Sequence, residues 1–317
     1  TSLIVLLATL TYTLYGGLRA SIFTDNIQMI VIGVLLLISV SYITSFNGNE
    51  FSFEFIEKNN PHLLSKSYLP SYTAGLTFFI AVAATNLFHQ GNWQRVYAAK
   101  NYETLKKSLI ISFLIIIPIV FLMGFIGMVS FSVDSTNRPD LGFFTLLLKE
   151  QTETLSLIII ILGLSLTIST VDTLVNAISS LFVVDGKATF NLSVKIDYLK
   201  LSKYFIIFLS LIAFFIASKG FDILYLFLLA DLFCCAFVLT VFYSFFNKKL
   251  NEKTAYMSII AGLIVGFLLF PIPDFSKSLL VGYILPVDLF PVFVSQSLLF
   301  ISFIAATFIP ALVWKFK

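Results

Sequence analysis

Residues 155–183 read LSLIIIILGLSLTISTVDTLVNAISSLFV, an apolar run that carries a single charged residue, Asp172. A helix needs about 20 such residues to cross a bilayer. In hydrocarbon every backbone polar group must be paired within the segment, so the run is expected as a helix; a barrel would need short alternating strands, which the sequence lacks. Within the run Ser165, Ser169, Asp172, Asn176 and Ser179 are spaced four, three, four and three apart, which puts them on one helix face. Thr170 and Thr173 flank that stripe.

Outward from this segment, comparable runs lie at 1–15, 22–45, 71–90, 108–131, 203–218, 221–245, 256–273 and 291–314, making nine candidate spans in all. Hydrophobic residues make up 58% of the chain and charged residues 12%, against about 45–50% and about 25% in soluble domains. That much apolar surface cannot be hidden in one water-facing core, so a lipid bilayer is the expected solvent. The net charge of +3 is spread without a basic stripe, which excludes a nucleic-acid partner. Cys234 and Cys235 are adjacent inside an apolar run and offer no disulfide framework. His62 and His89 leave no metal cluster to propose, and no nucleophile–base constellation points to an enzyme. The apolar run at Thr1 lacks a basic n-region and ends in Tyr15-Gly16-Gly17, so it does not read as a signal peptide. The outer loops at 46–70 and 132–154 are too short for a second domain, so residues 1–317 are expected as a single transmembrane domain.

If the spans alternate, fourteen Lys and Arg residues fall in one set of loops and six in the other. The positive-inside rule makes the richer set cytoplasmic. The expectation is a multi-pass protein of the cell membrane with an odd number of spans, cytoplasmic loops at 91–107, 184–202 and 246–255, and a cytoplasmic C-terminus.

Polar residues at membrane depth are the informative ones, because a central Asp costs about 2.5–3.5 kcal/mol on insertion scales. Hydroxyls alone would serve as glue between helices; a mid-span Asp in the same stripe turns the reading toward an ion site, since hard cations prefer oxygen ligands. A second polar place is Thr11-Tyr12-Thr13, Gly16-Gly17, Thr24-Asp25-Asn26 and Gln28. The paired glycines read as a tight turn between spans one and two. Asp25 then stands about one turn into the second helix, where a carboxylate also suits the dipole. The third place is Thr85-Asn86-Leu87-Phe88-His89-Gln90-Gly91-Asn92-Trp93-Gln94-Arg95, expected where a helix lines a cavity or breaks, or as an interfacial cap with a Trp anchor. Asp231, mid-span in the seventh helix, is either a buried structural partner or a substrate contact.

Three segments together resemble the sodium:solute symporter family: Tyr12-Thr13 through Gly16-Gly17 to Thr24-Asp25-Asn26-Ile27-Gln28; Gln94-Arg95 with Ala98-Ala99-Lys100; and Ser169-Thr170-Val171-Asp172 through Ser179-Ser180 to Asp185. The resemblance implies an all-α, inverted-repeat, leucine-transporter-like fold with substrate held midway between broken helices. It matches these spans to core helices four to ten plus two later ones, with the first core helices having no counterpart here. By resemblance, Ser169 and Thr170 are side-chain ligands of the main sodium site, with the backbone carbonyl of Leu166. A second sodium site maps onto Asp25, Ser169, Asp172 and Thr173, although Asp172 replaces the hydroxyl often seen at its position. Thr85, Asn86, Phe88, His89 and Asp231 map onto the substrate face.

The function these readings imply is sodium-coupled symport of a small organic solute, with Na+ as the coupling ion and no other cofactor. A symporter-like sensor module and an ion channel are the alternatives. A channel would need a continuous polar pore, whereas polarity here is concentrated near mid-membrane.

Overall fold

The computed structural model describes residues 2–46, 48–134, 141–149, 152–190, 197–247 and 250–315. Arg138, Lys195, Lys248, Lys249 and Lys317, which enter the comparison of loop charges, lie outside these residues.

The apolar runs become helices whose starts are set by short polar side chains. Asn101 accepts a hydrogen bond from the Thr104 N–H at 2.8 Å, Asp222 from Tyr225 at 3.1 Å and Asn251 from Thr254 at 2.8 Å; each caps an otherwise orphaned donor of a first turn. The helices are α1 (Ser2–Phe46), α2 (Phe53–Asn59), α3 (Leu69–Phe88), α4 (Gln90–Ala98), α5 (Tyr102–Val133), α6 (Gly142–Leu147), α7 (Glu153–Phe190), α8 (Tyr198–Ser218), α9 (Ile223–Phe246), α10 (Glu252–Leu269), α11 (Val292–Gln296) and α12 (Leu298–Lys315). Among the described residues there is no strand, and seven helices are long and apolar enough to cross a membrane. The protein is thus a polytopic all-α membrane protein. The remaining two expected spans are shorter: the first arm of α1, and α12, which a break at Ser297 separates from α11. The segments 46–70 and 132–154 carry the short helices α2 and α6.

The paired glycines do form a turn. Gly17 sits at φ 56°, ψ −149° inside α1, a left-handed conformation that glycine adopts without penalty. Asp172 then accepts hydrogen bonds from Tyr12 on one side of the break and from Ser21 and Thr24 on the other. In a straight helix Tyr12 and Thr24 would stand about 18 Å apart, so the two arms of α1 form a hairpin. The first arm follows α7, with Leu10 packed in a core with Val175 and Ile206. The second arm returns along α7, and Ile43 joins a core with Leu146, Leu147 and Leu155.

The chain divides into two compact units, residues 1–64 with 90–220, and residues 65–89 with 221–317. In the first, α1 and α8 pack on α7, and α4 also lies against it. Ile110, Ile111, Phe113, Leu114 and Ile115 of α5 are all exposed; a helix apolar on every side and uncovered by protein is a lipid-facing one. In the second unit α10 packs closely on α12. A Cβ at Gly262 would stand 2.8 Å from the Ala306 carbonyl, and one at Gly266 would stand 3.0 Å from the Ala306 Cβ. Small residues four apart let the two backbones approach, the usual way helices gain contact where lipid supplies no hydrophobic drive. Outside the spans, the loop after α10 holds Asp274, whose carboxyl lies below its ordinary range because the Ser276 backbone N–H and hydroxyl donate to it.

Candidate functional site

The polar stripe of α7 faces protein in the first unit. Asp172 is fully buried and Asn176 nearly so, whereas Leu166, Leu174 and Leu181 on the other faces are exposed. A buried carboxylate is tolerable only with its acceptor sites filled. Here Ser21 Oγ donates to Oδ1 at 2.6 Å, Tyr12 OH to Oδ2 at 2.8 Å, and Thr24 Oγ1 stands 3.1 Å from Oδ2. All three donors belong to the α1 hairpin, so Asp172 is the polar pin between α1 and α7. Asn176 donates back to the Asp172 carbonyl at 3.1 Å.

A second cluster adjoins the first. Asp25 accepts from Ser169 Oγ at 2.8 Å and pairs with Arg95 Nη2 at 2.5 Å; the same Arg95 nitrogen lies 2.9 Å from Thr173 Oγ1. Thr173 reaches Asp172 Oδ1 only at 3.5 Å. Arg95 is on α4, which Gln94 also ties to α7 through the Asn176 carbonyl at 3.1 Å and Ser180 Oγ at 2.5 Å. The residues that the resemblance maps onto a second sodium site, Asp25, Ser169, Asp172 and Thr173, thus lie in two adjoining clusters, which also hold Arg95, Tyr12, Ser21 and Thr24. Thr170 lies apart from those clusters: it is exposed, and its hydroxyl donates to the Leu166 carbonyl at 2.9 Å. These two oxygens and Ser169 Oγ come from little more than one turn of α7.

Arg95 and Ser21 had no site role on sequence grounds. Arg95 stood only as the end of the polar tract, as a loop cation and within a segment that carries the resemblance, and Ser21 lay unmarked between Ala20 and Ile22. The signal available for Arg95 was its place in the polar tract after span three. That tract breaks at His89, which caps α3 with φ −73°, ψ 101°, and continues as α4; of the expected cavity, break or interfacial cap, a break is what forms.

In the second unit Thr85 Oγ1 donates to Asp231 Oδ1 at 2.5 Å, and Asp231 is buried. Phe88 makes edge contacts with Phe237 and Phe242, at centroid distances of 6.4 and 6.3 Å. Asn86 is partly engaged by the Val82 carbonyl at 2.8 Å, and His89 Nδ1 is buried without a hydrogen-bond partner. Thr85 and Asp231 are thus brought together, while Phe88 sits with other aromatic rings.

A spermidine transporter, DUR31, from Candida albicans is 27% identical over 235 residues, which cover 73% of this chain and 43% of that protein. The chain therefore spans less than half the length of that relative. No solved structure matches it. The sodium:solute symporter family matches residues 1–262, a stretch that takes in the α1 hairpin, α4 and the whole polar stripe of α7. Since that match covers most of the sequence, the chain belongs to the sodium:solute symporter family, a family of transporters and not of enzymes.

Proposed function

We propose that the protein is a sodium-coupled symporter of the cell membrane that imports a small organic solute by alternating access, built on a leucine-transporter-like inverted repeat. The observation that carries this reading is Ser169 on α7, which donates to the Asp25 carboxylate at 2.8 Å and stands about one turn from the Thr170 hydroxyl and the Leu166 carbonyl, in a chain of the symporter family. Oxygen ligands of this kind suit a hard cation, and transporter ion sites draw on them at interrupted helices. In the conformation described, the Arg95 guanidinium already supplies the positive charge opposite Asp25. A second sodium at Asp25, Ser169, Asp172 and Thr173 therefore requires Arg95 to leave, which links that site to movement of α4. Coupling needs only that each ligand favour one conformation over another.

For the solute we favour an organic amine. Asp231 is a buried carboxylate with one described side-chain donor, Thr85, and a buried acid is well placed to meet a cationic group; the relative that transports spermidine points to the same class. The test is uptake of labelled spermidine by the full-length protein in proteoliposomes, with an inward sodium gradient or potassium in its place. Uptake is expected only with sodium, and Asp231→Asn is expected to raise the half-saturating spermidine concentration by about tenfold or more, the order of one charge-assisted hydrogen bond. Sodium-independent uptake would remove the symport reading; sodium-driven uptake of other solutes that spermidine does not inhibit would remove the amine.

Orientation is tested separately. Single cysteines placed in the loops at 91–107, 184–202 and 246–255 are expected to resist an impermeant thiol reagent in intact cells and to react after permeabilisation. Labelling from outside would reverse the orientation.

A further inference from the structure

At the turn of the α1 hairpin a cavity of about 370 Å³ opens between α1, α7 and α8, lined by Thr13, Gly17, Asn176, Ser179, Ser202 and Lys203 among others. Its residues all belong to the first unit, and none is among the proposed sodium ligands or solute contacts. We propose that this cavity binds a phosphate group, carried either by an anionic lipid headgroup or by free inorganic phosphate.

Four observations converge on an anion. Thr13 is 3% exposed, yet its Oγ1 has no hydrogen-bond partner. Thr9 and Thr11 on the same arm return their hydroxyls to the carbonyls four residues back, so Thr13 is the exception, and a buried hydroxyl left unsatisfied is costly unless something else meets it. Lys203 brings an ammonium to the wall and lies 5.9 Å over the Tyr15 ring, and among the described residues no carboxylate lines the cavity. Ser179 Oγ donates to Ser202 Oγ at 3.4 Å on the same wall, a long contact that an incoming oxyanion can replace at Ser179. Finally, Gly16 and Gly17 line the cavity at the point where helical geometry fails, so the second arm of α1 begins there. The N–H groups that open the second arm add donors, while the carbonyls that end the first arm offset their dipole, so the net positive charge at the wall is that of Lys203. The nearest acid along α7, Asp172, turns its oxygens to the hydroxyls of Tyr12 and Ser21, and its charge one turn from Asn176 is what Lys203 must offset. A cation or a neutral solute would find donors and a positive charge here; a tetrahedral oxyanion uses all of them at once. The cavity is roomy enough for a phosphate with part of an ester substituent.

The experiment uses the full-length protein. Binding of inorganic phosphate is measured by phosphorus NMR and thermal shift in detergent, and retention of phosphatidylglycerol by native mass spectrometry after reconstitution in phosphatidylcholine vesicles with or without it. At least one of the two probes is expected to bind. Thr13→Val and Lys203→Gln should each weaken that binding about tenfold, the order of one hydrogen bond to a charged group, and Lys200→Gln, an exposed neighbour outside the lining, should not. Retention of the lipid alone assigns a headgroup site; binding of phosphate alone assigns a soluble ligand. If neither probe binds the unmodified protein, or Lys200→Gln weakens binding as much as Lys203→Gln, the proposal is overturned, and the first of these outcomes needs no variant to fold.

Discussion

Asp172→Ala is expected to be among the most destabilising single substitutions in the chain, lowering the folding free energy by about 2–6 kcal/mol. The figure follows from the groups left behind, since each buried donor deprived of its partner costs about 1–3 kcal/mol. Tyr12 and Ser21 lose the acceptor that holds them, whereas Thr24 retains the carbonyls of Ala20 and Ser21, at 3.0 and 2.9 Å. Two stranded donors therefore set the scale. Asp172→Asn keeps one acceptor oxygen and should cost clearly less. Thermal melting of the purified full-length protein checks both, and an alanine variant as stable as its parent would show that the α1 hairpin is held by its apolar contacts alone. Transport separates this structural role from an ionic one. If Asp172 also belongs to a second sodium site, the asparagine variant should move fewer charges per solute in proteoliposomes; an unchanged ratio would remove Asp172 from the ion pathway.

The second large effect is on sodium. Ser169→Ala and Thr170→Ala are each expected to raise the sodium concentration for half-maximal uptake by about tenfold, and the pair by more, because each removes an oxygen whose interaction with a cation is on the order of 1.5–3 kcal/mol. Protein level should change little, since loss of a hydroxyl between membrane helices costs only about 0.6–2 kcal/mol. Thr170 is the cleaner probe: it is exposed and bonded to its own helix at Leu166, so its loss disturbs little packing. Ser169→Ala also removes a donor from Asp25, which keeps its pairing with Arg95. Sodium curves for uptake decide the matter, and an unaltered curve in the double variant would return both hydroxyls to helix packing.

The helices, and most of their ends, were legible in the sequence because the bilayer imposes a simple rule: an apolar run of sufficient length must close its own backbone hydrogen bonds. The stripe of α7 was legible because helical periodicity alone places residues spaced four and three apart on one face. Even the hairpin was marked, since Gly16-Gly17 interrupts a run that would otherwise continue.

What no local rule could supply was the partner of each polar group. Asp25 and Asp172 stand on different helices, and the resemblance assigns both to one cation; the fold gives Asp25 to Arg95, on a helix that follows α3 and lies against α7, and gives Asp172 to three hydroxyls of the α1 hairpin. Likewise the unsatisfied hydroxyl of Thr13 exists only because a turn at Gly17 and the start of α8 leave a space beside it. Composition and periodicity thus determined that this chain is a bundle of membrane helices with polarity concentrated on α7. Which charges neutralise one another was decided by tertiary packing, because the pairing energy depends on distances between residues some 70 to 160 positions apart, and these are fixed only when the helices close on each other.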